Sequence, residues 1–318
     1  MKITFLGTSS GAPSRSRHLS GIALQLPQQA AFWLIDCGEG TQYRILESPL
    51  RLSQLERIFI THLHGDHLFG LVGMLASRSL QIGSDTTVTL YGPHGLEAYV
   101  RSGLEISHTY LGYSLAFVSV RPGTIYEDDV YTVVCAPMKH GIEAYGYAVR
   151  ERDRSGHFDV ARAKELGIPA GPLYGRLKAG ETITLPDGRT IVGAELCGPP
   201  ISGRKVVFCG DTTFTSQAVE LARDADVLVH EATFLQEDLA LAERANHSTS
   251  KMAAETARQA GVRTLLLTHF SARYEADSGS RLGDLLAEAQ AIFPHTLLAH
   301  DLWAYEIPRR EPDPPIQP

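Results

Sequence analysis

His62-Leu63-His64-Gly65-Asp66-His67 places three imidazoles and one carboxylate within six residues. The stretch Arg57 to Thr61 just ahead of it reads as a strand, so the motif opens where a strand ends. Side chains alternate in extended backbone, and H-x-H therefore sets two rings on one side. A turn at Gly65 then carries Asp66 and His67 toward the same cleft. Imidazole and carboxylate are the donors that suit Zn²⁺, and packing alone gives no reason to gather four of them this densely.

Outward from this motif, short apolar runs are punctuated by Gly, Pro and Asp. Ile3 to Leu6, Ile22 to Leu26, Phe32 to Ile35, Val88 to Tyr91, Leu115 to Val120 and Tyr131 to Ala136 read as strands, and Leu68 to Leu80 as a helix. The second half repeats the style. Strands at Lys205 to Cys209, Val227 to His230, Thr264 to Thr268 and Thr296 to Ala299 alternate with helices at Ser216 to Arg223, Ser248 to Gln259 and Leu282 to Ile292. Two such halves predict an α/β sandwich of sheets with helices outside. Polar residues fall at strand ends, where such folds place their chemistry. His140 in Pro137-Met138-Lys139-His140-Gly141, Asp211 in Cys209-Gly210-Asp211-Thr212 and His269 in Thr268-His269-Phe270 are of this kind. Each alone could close a turn or cap a helix. Following the HxHxDH run in this order, they read as one set.

The chain has 318 residues, 43% hydrophobic, with a formal net charge of −7. That balance argues against general affinity for a phosphate backbone, which Lys and Arg must neutralise. One segment departs from it. Arg150 to Lys178 carries seven basic residues against four acidic ones, a balance of +3 that leaves −10 elsewhere. It contains Gly167-Ile168-Pro169-Ala170-Gly171-Pro172, which no regular strand or helix accommodates, and it reads as a protruding arm between the two halves. The tail after Pro308, residues 309–318, is proline-rich and expected to be disordered. Cys37, Cys135, Cys197 and Cys209 are scattered singly, as suits reduced thiols. The N-terminal apolar run is too short for a signal peptide, and no stretch approaches a membrane span of ~18 apolar residues. A soluble, cytoplasmic protein is expected.

The order HxHxDH, His, Asp, His resembles the metallo-β-lactamase superfamily, over Met1 to about Pro308. The resemblance narrows with Leu6-Gly7-Thr8-Ser9-Ser10-Gly11-Ala12-Pro13, His230-Glu231-Ala232-Thr233, His247-Ser248-Thr249 and the arm sequence GIPAGPLYGRLKAG. Together with the run around His140 these look like the short form of RNase Z. The resemblance implies an αββα sandwich, a single domain over 1–308 that contains the arm 150–178. It also implies two zinc ions per chain. The first would take His62, His64 and His140, the second Asp66, His67 and His269, with Asp211 bridging both. The remaining histidines, among them His18, His94, His108, His157, His295 and His300, are assigned no role as ligands.

The activity implied is endonucleolytic removal of the 3′ trailer from precursor tRNA, leaving a 3′-OH and a 5′-phosphate. Asp66 would orient the attacking water, and His247, oriented by Glu231, would protonate the leaving oxygen. Read without the resemblance, Glu231 is a surface acid and His247 a helix-entry residue beside an N-cap at Ser248. Family members pair as homodimers and grip tRNA with the arm. Two other readings keep the same fold: a 3′→5′ exoribonuclease on trailers, and a small-molecule hydrolase such as a thioesterase. A scaffold with a dead site is disfavoured by the complete ligand set.

Overall fold

A computed structural model describes residues 1–26, 28–81, 86–275 and 280–309. The chain divides into two compact units, Met1–Val149 with Lys205–Ile307, and a second unit that begins at Arg150 and runs through Arg204. The expectation for the tail falls, from residue 310 on, outside the described residues.

The first unit is built on two seven-stranded sheets. One runs Ala304–Glu306, Lys2–Gly7, Gly21–Leu26, Ala31–Ile35, Leu55–Phe59, Thr87–Gly92, Ser114–Ser119. The other runs Thr296–Leu298, Thr264–Thr268, Val227–Glu231, Lys205–Phe208, Tyr145–Glu151, Tyr131–Pro137, Gly123–Glu127. The central strands of the second sheet read VVF, LVH and LLL because a parallel strand is covered on both faces. Phe5, Trp33 and Phe59 from the first sheet pack with Tyr131, Tyr147, Phe208 and Leu266 from the second in one buried cluster. Each outer face has its own core. Leu71, Met74, Leu75 and Val100 cover the first sheet, and Ala218, Ala253, Ala257 and Leu285 cover the second. The layers are therefore helix, sheet, sheet, helix, as the sequence predicts.

Several boundaries differ from the sequence reading. The strand before the histidine run is Leu55–Phe59, ending two residues early because Thr61 turns its amide and hydroxyl to the Asp36 carboxylate. The expected helix from Leu68 to Leu80 is two pieces, Gly65–Leu68 and Leu71–Ser79, with the Gly70 amide donating to the Cys37 carbonyl at the break. The helix expected from Ser248 is Ser250–Ala260, and its N-cap is Thr249, whose hydroxyl accepts from the Met252 amide. Ser248 instead donates its hydroxyl to the Thr212 carbonyl at 2.6 Å.

The second unit has a core of its own, formed by Phe158, Ala163, Ile168, Leu177, Ile183, Leu185, Ile191 and Leu196. Two short helices, Val160–Glu165 and Pro172–Lys178, flank the Gly-Pro stretch. The hairpin of Thr182–Thr184 with Thr190–Val192 supplies the rest. The unit thus reaches beyond the basic stretch that first marks it.

Candidate metal centre

The candidate ligands follow strand ends. Asp211 comes three residues after Lys205–Phe208, Glu231 ends its own strand, and His269 follows Thr264–Thr268 directly. His140 comes three residues after Tyr131–Pro137, and the HxHxDH run leads on from Leu55–Phe59. Two backbone features aim these side chains. His269 has a positive φ of 58°, an uncommon conformation for a residue other than glycine. Gly210 has φ +62°, and a Cβ there would meet Thr61 at 2.8 Å, so the chain before Asp211 can approach the histidine loop only as glycine.

The donor atoms fall into overlapping groups. His62, His64 and His140 form one, and Asp66, His67, Asp211 and His269 another, each with its ligand atoms within 4.8 Å of one another. Asp211 also groups with His140 and His247, and Glu231 with His247 and His269. All seven ligands read from the sequence lie together, and Glu231 and His247 lie beside them.

Hydrogen bonds fix which ring nitrogens are free. His67 Nδ1 lies 2.8 Å from Asp36 Oδ2, and His140 Nδ1 lies 2.9 Å from the Asn246 carbonyl. These acceptors assign the N–H to Nδ1 in both rings. His269 Nδ1 lies 3.0 Å from Thr233 Oγ1, which itself donates to Glu231 at 2.6 Å, so His269 also carries its proton on Nδ1. The Nε2 atoms are left as acceptors. Yet His67 Nε2 stands 3.2 Å from His269 Nε2, and His140 Nε2 stands 3.1 Å from His64 Nδ1. His62 Nε2 is buried without a hydrogen-bond partner. Facing lone pairs repel unless a cation or proton sits between them. The nitrogens of a tetrahedral zinc site, at 2.0–2.1 Å from the ion, stand roughly 3.3 Å apart. The donors present fit such an ion.

Electrostatics agree. Burial, reinforced by the neighbouring His67, pushes His62 down to about 2, so it stays in the neutral form that binds metals. Burial also opposes a charge on His67, but Asp211 and Asp36 raise it well above its ordinary value. The centre holds positive charge, whether proton or metal. Asp211 is buried and nevertheless held well below the usual carboxylate range by His269 and His67.

Glu231 is no surface acid. It is 1% exposed and accepts from His247 Nδ1 at 2.8 Å, the Thr212 amide at 2.8 Å, the Ser248 amide at 3.0 Å and the Thr233 hydroxyl. Burial works against its charge, but His247 and these donors keep it ionised. Burial likewise works against a charge on His247, and Glu231 outweighs it, raising the imidazolium to about 9.

Sequence reasoning passed over three contributors. Asp36 orients both His67 and Thr61, and Thr61 Oγ1 lies 3.0 Å from His62 Nδ1. Its only signal is an acid at the end of an apolar strand. Thr233 links His269 to Glu231. The Gly11 amide donates to Asp66 Oδ2 at 2.8 Å, which gives the Leu6 to Pro13 motif a contact with the centre.

Family models match in two places: the anti-Pycsar protein Apyc1 model over residues 1–109, and a β-lactamase superfamily domain over residues 186–270. A ribonuclease Z from Nostoc sp. is 58% identical over 310 residues, covering 98% of this chain and 96% of its own. Another, from Trichodesmium erythraeum, is 58% identical over 309 residues, covering 97% and 96%. Among solved structures, human tRNase Z, short form, superposes with a TM-score of 0.70 at 28% identity, covering 97% of this chain and all of that one. The metallo-β-lactamase fold protein YhfI from Bacillus subtilis, at 19% identity and a TM-score of 0.66, is alike in fold.

Proposed function

The chain belongs to the ribonuclease Z family, and we propose that it works as a zinc-dependent endoribonuclease with two ions in the centre described above. It removes the 3′ trailer from precursor tRNA, leaving a 3′-OH on the tRNA and a 5′-phosphate on the trailer. The observation that carries the metal assignment is the pair of donor groups, His62, His64 and His140 beside Asp66, His67 and His269, with Asp211 within reach of both. Bound there, two zinc ions supply a nucleophile at neutral pH and offset the charge of the phosphodiester.

The chain's own groups do the rest. Asp66, held by the Gly11 amide, orients the attacking water and accepts its proton. His247 is charged at neutral pH because Glu231 supports it. It gives its Nε2 proton to the leaving 3′-oxygen, while Nδ1 stays on Glu231. The second unit serves as the arm that grips tRNA by shape and phosphate contacts. Arg150, Arg162 and Arg176 there already pair with Asp153, Glu165 and Glu181. Such exposed pairs are weak, so phosphates can compete for these guanidinium groups.

The protein acts as a homodimer in the cytoplasm. Tyr43, Leu46 and Phe69 are more than half exposed, apolar area of the kind that subunit contacts cover. The four cysteines are free, as in a reducing compartment. No helix among the described residues is long and apolar enough to cross a membrane.

The direct test is one labelled precursor tRNA incubated with purified protein, with elemental analysis of the same sample. We expect a single endonucleolytic cut, abolished by chelator and restored by zinc, and close to two zinc equivalents per chain. Zero or one equivalent after zinc titration would end the dinuclear assignment.

A further inference from the structure

The loop from Ser9 to Arg17 carries Gly11, whose amide holds Asp66, yet most of it has no core of its own. Gly11, Ala12, Pro13, Arg15 and Ser16 are exposed. What shapes it is a carboxylate six residues beyond His269. Glu275, in the short turn Ala272–Glu275, accepts from Ser14 Oγ at 2.6 Å, Ser16 Oγ at 3.0 Å and Arg17 Nε at 2.6 Å. Arg17 is buried, and its other guanidinium nitrogen donates to Thr8 Oγ1 at 2.6 Å and the Ala299 carbonyl at 3.0 Å. Its guanidinium lies 5.0 Å from the ring centre of Phe270, the residue after His269. Ser9 and Ser10 pair in parallel with Phe270 and Ser271, and the Phe270 amide donates to the Thr8 carbonyl.

Resting on the dinuclear reading above, we propose that Glu275 is a positioning residue for the second metal position. It clasps the loop through Ser14, Ser16 and Arg17, so that the Gly11 amide stays on Asp66 and Phe270 stays under the His269 turn. These contacts lead to Asp66 through the Gly11 amide and to His269 through its neighbour Phe270, and both ligands belong to the second group. None of these contacts involves His62, His64 or His140. The clasp therefore acts on one metal position rather than on the centre as a whole.

The test loads the full-length protein with zinc and dialyses it against graded chelator, with elemental analysis at each step. Glu275→Ala removes the clasp but leaves Arg17 buried without its carboxylate, which can cost folding stability. The Ser14→Ala/Ser16→Ala double variant removes two of the three contacts on the exposed loop and keeps that ion pair. Both variants should lose one zinc equivalent at chelator concentrations on the order of tenfold below wild type, the scale for residues that orient ligands. The other equivalent should leave at the wild-type concentration. Turnover of precursor tRNA should fall at limiting zinc and recover in excess zinc, with KM unchanged. Glu275→Gln keeps acceptors for the serines and should fall between.

Release curves that coincide with wild type would overturn the proposal. So would loss of both equivalents together with a lower melting temperature of the metal-free protein, which would mark Glu275 as merely structural. Wild-type protein that never holds two equivalents would instead overturn the dinuclear reading, and the clasp with it.

Discussion

At the residue scale, the arrangement around Glu231 explains how a histidine can be an acid at neutral pH. An isolated imidazole titrates near 6.5 and is mostly neutral at pH 7. Here the pKa is raised to about 9, with Glu231 overcoming the burial that works against the charge. His247 therefore keeps its proton through neutral pH and loses it as the pH rises toward 9. The alkaline limb of kcat should report that loss. Glu231→Gln removes the charge that sustains the imidazolium while leaving an oxygen for the hydrogen bond. The limb should then move to lower pH by at least about one unit, and kcat at pH 7 should fall. His247→Ala should retain zinc and lose turnover by roughly 10²-fold or more, the usual scale for a positioned acid. An alkaline limb unmoved in Glu231→Gln, or wild-type kcat in His247→Ala, would remove His247 from the mechanism.

At the scale of elements, what the sequence reveals depends on whether a residue's job is local. The strands with continuous apolar runs, Val227–Glu231 and Thr264–Thr268, are legible because burial on both faces leaves a mark in composition. Tyr145–Glu151 is not legible, because Gly146 reads as a breaker. A Cβ there would meet Met138 at 2.6 Å and the Phe208 carbonyl at 3.1 Å, so that glycine permits close approach inside a sheet. The helix Leu96–Ile106 is likewise hidden, since it starts at Gly95 in a left-handed turn without a side-chain cap. The residues that gather as candidate ligands are legible from type and order, whereas Asp36 and Thr233 act only through neighbours that the fold brings to them. The arm sits between these cases. Its charge shows where it starts, but its core runs on through Ile183, Leu185, Ile191 and Leu196. Replacing only Arg150 to Lys178 would strip those four of their partners. The informative variant replaces Arg152 to Gly203 with a short Gly/Ser linker, keeping Glu151 and Arg204, which pair at 2.8 Å. No proposed ligand is removed, so hydrolysis of a small chromogenic phosphodiester should survive. Cleavage of precursor tRNA should drop mainly through KM, and the salt dependence of tRNA binding should flatten. Undiminished processing by the armless protein would show that tRNA is gripped elsewhere, and would remove the second unit from substrate binding.

At the scale of the whole molecule, the centre is also a joint between the two sheets. His62, His64, Asp66 and His67 follow a strand of the first sheet, while His140, Asp211 and His269 follow strands of the second. The group His62, His64 and His140 and the group Asp66, His67, Asp211 and His269 each draw on both. Zinc bound there would tie the sheets together at their strand ends, in addition to the apolar cluster that fills the space between them. That cluster contains no proposed ligand, so the fold should survive without metal, only less stably. A site with free zinc at 100 times its dissociation constant gains about 2.7 kcal/mol from binding the native state alone. For a chain of this size that corresponds to a melting temperature higher by roughly 4 °C per site. Chelated protein should accordingly keep its far-ultraviolet circular dichroism at 25 °C, melt lower by at least that much, and recover on adding zinc. The gain should also depend on pH with a definite sign. His67 holds its proton well above the ordinary imidazole value because Asp211 and Asp36 face it, and zinc must expel that proton to use the ring. Lowering the pH favours the proton, so the zinc-dependent part of the melting temperature should shrink steadily toward acid. Calorimetric scans with and without chelator, from pH 8 down to pH 5.5, measure this directly. A zinc increment that is zero, or that grows as the pH falls, would mean that the histidines and Asp211 do not take up metal in the way their geometry suggests.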